Sequence, residues 1–221
     1  MAVAIWIALL WVVFLGTHLG LASVRVEPKL RERLGDRPFL GLYSLVAFAS
    51  FVPLCWIYFG NRHAGEWLWF VPIDPAMRAF LYVTMGFALL LIVAGGTAPS
   101  PASVAPGKAE VRGAFRITRQ PLVIGTALLM ALHLVANASA ADLAFFGGFV
   151  VFAVAGALHQ DARKLAYGTP GFAEFHAETS LIPFAKPGAL RGFREIGPLT
   201  WSLTVAAFLA IRWIHGSLWP H

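Results

Sequence analysis

Two histidines, His18 and His133, lie inside apolar stretches long enough to cross a bilayer. An imidazole held in hydrocarbon is costly unless something pairs with it, so by default it marks a functional site. Neutral imidazole is a common metal ligand, and two of them on separate helices can grip a haem iron. Gly20, Ala22 and Ser23 follow His18 and leave room for a flat cofactor or a second helix. Arg25, seven residues on, would project from nearly the same helical face at the membrane edge and meet the anionic propionates of a haem. Arg119, Thr126 and His133 recur every seven residues, and Asn137 follows four later. Together they form a polar stripe that should face a bundle interior. Arg119 heads this stripe and is the second cation assigned to the cofactor. The plainer alternatives are a histidine bonded to a backbone carbonyl, and helix–helix hydrogen bonding with Arg119 among lipid headgroups.

The two imidazoles do not share a depth. Each lies roughly 7 Å from the midplane, on opposite sides, at ~1.5 Å rise per residue. A shared haem would then need a tilted ring or shifted helix ends. His159 matches the depth of His18 better and is the alternative ligand. Cys55 is the only cysteine, which excludes an intramolecular disulfide and a cysteine-based zinc site.

Such residues need helices to hold them. The 221 residues are 58% apolar and only 13% charged, with a mean hydropathy of +0.71. Soluble domains carry about 25% charged residues, so the balance is that of a membrane protein. A span needs roughly 20 apolar residues, and candidates fall near 2–24, 39–60, 76–97, 119–138, 142–162 and 197–215. The expected fold is an all-α polytopic membrane helix bundle of about six transmembrane helices, one domain over 1–221. The first run has no basic residues ahead of it and reads as a retained helix rather than a signal peptide.

Of the 17 basic residues, all but Arg62, Arg78 and Arg212 fall on one side of a six-span arrangement. The positive-inside rule then puts both termini on the non-cytoplasmic side of the cell inner membrane. The net charge of +6 is therefore a matter of topology and anionic lipid, with no nucleic acid implied. Trp67, Trp69, Trp213 and Trp219 suit an aromatic belt on the outer side. Lys108 belongs with the inner basic residues, and His63, His215 and His221 need no special role. Residues 163–196 should form short amphipathic helices on the cytoplasmic surface. Gly147, Gly148 and Gly156 suggest close helix packing.

The stretch from His18 to Arg25 resembles the opening motif of the NnrU family. So do Gly41-Leu42-Tyr43-Ser44-Leu45, Thr118-Arg119-Gln120-Pro121, Ala131-Leu132-His133, Gly156-Ala157 and Asp161-Ala162-Arg163. The resemblance covers nearly the whole chain. It implies a bacterial membrane protein associated with denitrification and nitric oxide metabolism, related to the plant 15-cis-zeta-carotene isomerase, a haem b enzyme. The isomerase histidines implicated in haem ligation map onto His18 and His133. Its alternative cysteine ligand maps onto Met130, a thioether that cannot act as a thiolate, and Gln120 stands where the family usually has histidine. The implied partners are the lipid bilayer, haem, a hydrophobic polyene or nitric oxide, and a respiratory redox partner. Arg119, Pro121 and Gly125, with Tyr167-Gly168 and Ile182-Pro183, also resemble membrane S-adenosylmethionine-dependent methyltransferases of the isoprenylcysteine type. A non-catalytic scaffold for assembly of a nitric oxide reductase is a further alternative.

Overall fold

The computed structural model describes residues 2–98 and 110–218. Lys108, Trp219 and His221 lie outside the described residues. The chain runs through α1 (Ala2–Leu21), α2 (Glu27–Leu34), α3 (Asp36–Gly60), β1 (Trp67–Phe70), α4 (Pro75–Thr97), α5 (Ala114–Ile117) and α6 (Pro121–Ala136). It continues through β2 (Asn137–Ser139), α7 (Ala140–Ala166), α8 (Phe172–Glu178), α9 (Gly192–Glu195) and α10 (Pro198–Leu218).

Among the described residues four helices, α1, α3, α4 and α7, are long and apolar enough to cross a membrane. A fifth span is reached if Ala189–Glu195 and Pro198–Ser217, bent by 93°, are taken together, and Pro121–Val135 is a shorter apolar helix. The six apolar runs thus all become helices, but the fourth is shorter than its run. Pro121 opens α6, and a residue before proline is pushed out of the α region. Arg119 and Gln120 therefore precede the helix. At the other end Asn137 leaves it to pair in β2. The expected polar stripe is thereby cut to Thr126 and His133. The first helix also stops early, at Leu21, and a turn bonded from Ser23 N to Gly20 O and Val26 N to Ser23 O carries the chain into α2. Arg25 consequently sits on an exposed turn, off the helical face on which its seven-residue spacing would have placed it.

The contacts divide the chain into two compact units, Met1–Pro72 with His133–Tyr167, and Ile73–Leu132 with Gly168–His221. In the first, α1 packs on α3 and α7 around Ile7, Trp11, Phe14, Leu54, Tyr58, Ala141 and Phe145. The antiparallel β1–β2 ribbon pairs Trp67 with Ser139 and Phe70 with Asn137. Aromatic residues favour such a half-exposed pleat, and a lone two-stranded ribbon is marginal. This one is braced by Ala140 N to Glu66 O, Ala141 N to Ala64 O, and Trp69 Nε1 to Leu134 O at 2.7 Å.

In the second unit two glycines let α4 and α6 meet backbone to backbone. A Cβ on Gly95 would lie 2.4 Å from Leu122 N, and one on Gly125 2.7 Å from Ala88 O. Of the segment 163–196 expected to form short helices, residues up to Ala166 continue α7 and the rest form short elements, with Phe172 and Phe175 packed on Phe115. Glu195 fastens this region, accepting hydrogen bonds from Arg116 Nε and Gly113 N, both at 2.8 Å. Burial opposes ionisation of Glu195, but the Arg116 hydrogen bond and the Gly113 N–H outweigh it and hold the carboxyl below its ordinary range. A depressed folded-state value contributes stability that is full above the unfolded value, roughly 4.3, and is lost as pH falls through the folded one. Glu195→Gln should lower the thermal midpoint at neutral pH and flatten its further fall on acidification. A variant with the wild-type acid limb would contradict this.

Candidate functional site

His18 is held from three helices. One turn earlier on α1, Phe14 stacks on it at 5.1 Å and 25°. Phe152 of α7 presents an edge at 5.3 Å and 75°. From α3, the Tyr43 hydroxyl lies 2.7 Å from His18 Nε2. The other ring nitrogen, Nδ1, is buried and has no hydrogen-bond partner. Buried polar atoms are normally satisfied; among the described residues Trp11 Nε1, Arg163 Nε and His18 Nδ1 are not, and of these only the imidazole nitrogen can offer a lone pair to a metal.

A charged cluster lies beneath Tyr43. Phe39, one turn before it, lies 6.1 Å away ring to ring, and the Arg31 guanidinium covers the Phe39 face at 4.7 Å. Arg31 also donates to Glu27 at 3.0 Å and to Asp36 at 2.7 Å. Chiefly the Asp36 hydrogen bond, with burial opposing and Glu27 assisting, holds the guanidinium above even its usual range. Glu27 is 8% exposed and is also paired with Arg163 of α7. Arg163, inside α7, thus joins the charged cluster through Glu27, whereas Arg25 stands on its exposed turn.

His159 lies one turn before Arg163, is half-buried, and follows Phe152 by seven residues, about 10 Å along α7. His133 is elsewhere. It is exposed near the end of α6, with its ring stacked on Phe146 at 4.3 Å and 13°. Phe146 and Phe152 are six residues apart on α7, about 9 Å along its axis. His18 and His133 therefore contact α7 at points offset along that helix. Arg119 belongs to the second unit. It is 5% exposed, and its Nη1 donates to Thr179 O at 3.2 Å while its backbone N–H donates to Ser180 O. That unit also contains an open cavity of about 490 Å³ whose lining includes Thr97, Arg112, Phe115, Glu195 and Thr200.

As a haem site, the donor chemistry fits at His18. One imidazole nitrogen is tied to an outer partner while the other is buried and unpaired, which is how a ligating histidine is held. His159 and His133 are the imidazoles of this unit that could supply a second ligand. Among the described residues no group of three or more His, Cys, Asp or Glu side chains could hold a metal ion by itself.

A second polar centre escaped the sequence reading. Asp142, 2% exposed, accepts from Tyr58 OH at 2.9 Å and from His63 Nδ1 at 2.9 Å. It also accepts from Ser139 N at 3.0 Å and Ser139 Oγ at 2.9 Å. His63, with φ at 59°, stacks on Trp67. Ser139-x-x-Asp142 is a capping-box pattern and could have signalled the carboxylate, but nothing in the sequence ties it to Tyr58 or His63.

A family model described as NnrU protein matches residues 6–220. No curated protein and no solved structure matches the chain.

Proposed function

The chain belongs to the NnrU protein family, and from that premise we propose that it is a haem b-binding integral membrane protein of the bacterial inner membrane. It would serve nitrogen oxide redox metabolism, with nitric oxide as ligand or substrate and a respiratory protein as redox partner. One observation carries the haem reading: the buried, unpartnered Nδ1 of His18, whose ring is clamped by Phe14, Phe152 and Tyr43. In this reading α1, α3, α4, α6, α7 and α10 make six crossings with both termini outside. Helix α6 is shorter than a full span, which local thinning of the bilayer accommodates.

Haem iron supplies one-electron exchange and, where a ligand position is open, a site for a diatomic gas or a polyene double bond. The chain's own residues orient and shield. Phe14 and Phe152 exclude water from the imidazole, Tyr43 fixes its rotation, and Arg163, paired with Glu27, would be a cation available to a propionate. His159 or His133 would supply a second ligand, and His133 would have to leave Phe146.

An absorption spectrum of the detergent-purified protein, oxidised and reduced, tests this. A low-spin b-type spectrum is expected, lost in His18→Ala. A change to high spin in either His159→Ala or His133→Ala identifies the second ligand. A colourless wild type from haem-replete cells would overturn the proposal, and S-adenosylmethionine binding by it would mark a methyltransferase instead. Accumulation of a cis-carotenoid in a deletion strain, with the haem spectrum intact, would identify the isomerase activity.

A further inference from the structure

We propose that Tyr43 is a positioning residue for His18, its phenol oxygen accepting the Nε2–H so that the Nδ1 lone pair is left bare for iron. The proposal rests on the haem reading above and assigns a role to the Gly41–Leu45 motif. A neutral imidazole carries one N–H and one lone pair, so the partner of one nitrogen decides what the other can do. The 2.7 Å contact at Nε2 and the lack of any hydrogen-bond partner at the buried Nδ1 divide the ring in this way. Were the tyrosine the donor, the ring's one N–H would sit at Nδ1 and that nitrogen could not ligate; with iron at Nδ1 the N–H must sit at Nε2, where the phenol oxygen is placed to accept it.

Both partners are held in place. The imidazole is packed between Phe14 and Phe152, and the phenol follows Phe39, which Arg31 covers. Arg31 is in turn paired with Glu27 and Asp36, so the packing behind the phenol runs into the charged cluster. An N–H donated to an oxygen raises the electron density of the ring, and outer partners of this kind typically change metal binding 10–100-fold. A richer imidazole favours ferric over ferrous iron.

The test compares the full-length wild type with Tyr43→Phe in two readouts. Redox titration of the haem form should show haem retained and the preference for ferric iron reduced about tenfold, a rise in midpoint potential of about 59 mV for a one-electron couple. In haem-free protein, 15N spectra of labelled histidine should show His18 as a single Nε2–H tautomer in the wild type and as a mixture in the variant. If Tyr43→Phe does not fold, 3-fluorotyrosine at position 43 keeps the shape, weakens the oxygen as acceptor and should move the potential in the same direction. Retained haem with an unchanged potential overturns the role of Tyr43 and leaves the haem reading standing. A colourless wild type overturns the haem reading, and the tautomer spectra then decide the hydrogen bond alone: an unchanged His18 signal in the variant overturns it too.

Discussion

Asp142→Ala should be the most damaging single substitution in the first unit, lowering stability by about 3 kcal/mol or more. The carboxylate is 2% exposed and gathers donors from three separate segments: Tyr58 on α3, His63 in the following loop, and Ser139 ahead of α7. Each buried donor left without an acceptor costs roughly 1–3 kcal/mol, and loss of the capping box at the head of α7 adds about 1 kcal/mol. The Tyr58 ring is stacked on Phe145 at 3.9 Å and 4°, so the phenol cannot swing away to find water without breaking the aromatic core. Asp142→Asn keeps the shape and one acceptor and should cost less. His63→Ala should cost least, because the His63 side chain is 56% exposed and water can replace it. Unfolding in mixed micelles, followed by circular dichroism, measures the series. The ranking fails if His63→Ala proves as harmful as Asp142→Ala.

Gly148→Ala should both destabilise the first unit and empty the haem site. A Cβ at this position would lie 2.1 Å from Trp11 Nε1 and 2.4 Å from Trp11 Cδ1. The indole has no easy retreat, being 3% exposed and surrounded by Phe14, Phe51, Phe149 and Phe152. Overpacking of this kind costs about 1–3 kcal/mol and occasionally more, and the least costly relief is separation of α1 from α7. That movement draws Phe14 and His18 away from Phe152, so haem content should fall with stability. Trp11→Leu in the same chain makes room for the methyl group, and the double variant should recover most of the loss. The coupling between the two sites then reads out the contact directly. Simple additivity of the two changes would show that the helices meet elsewhere.

Trp11 illustrates what could be read from residues alone. Close packing around Gly147, Gly148 and Gly156 follows from their small size, yet only Gly148 receives a neighbour's ring. Gly147 faces its own helix through Leu143, and Gly156 has nothing within 4 Å. Glycine permits an approach without specifying one, so which glycine is used depends on how α1 rotates against α7.

The amino-acid sequence by itself determined that this is a membrane protein of the NnrU family, that six apolar runs become helices, and that His18 lies inside one of them. Apolar length and charge placement suffice for that, because hydrocarbon tolerates neither exposed backbone nor unpaired charge. Helix ends were a different matter. Leu21 closes α1 and Asn137 leaves α6 because a turn and a ribbon partner satisfy their backbone groups, and those partners lie far along the chain or depend on local geometry. Only the tertiary structure decided that Tyr43, and no backbone carbonyl, meets His18. In the same way it left Arg25 on an exposed turn, paired Arg163 with Glu27, and gathered Tyr58, His63 and Ser139 onto Asp142. Each of these is a directional bond of about 3 Å between residues on different segments, and periodicity along one helix carries no information about the face a second helix turns toward it.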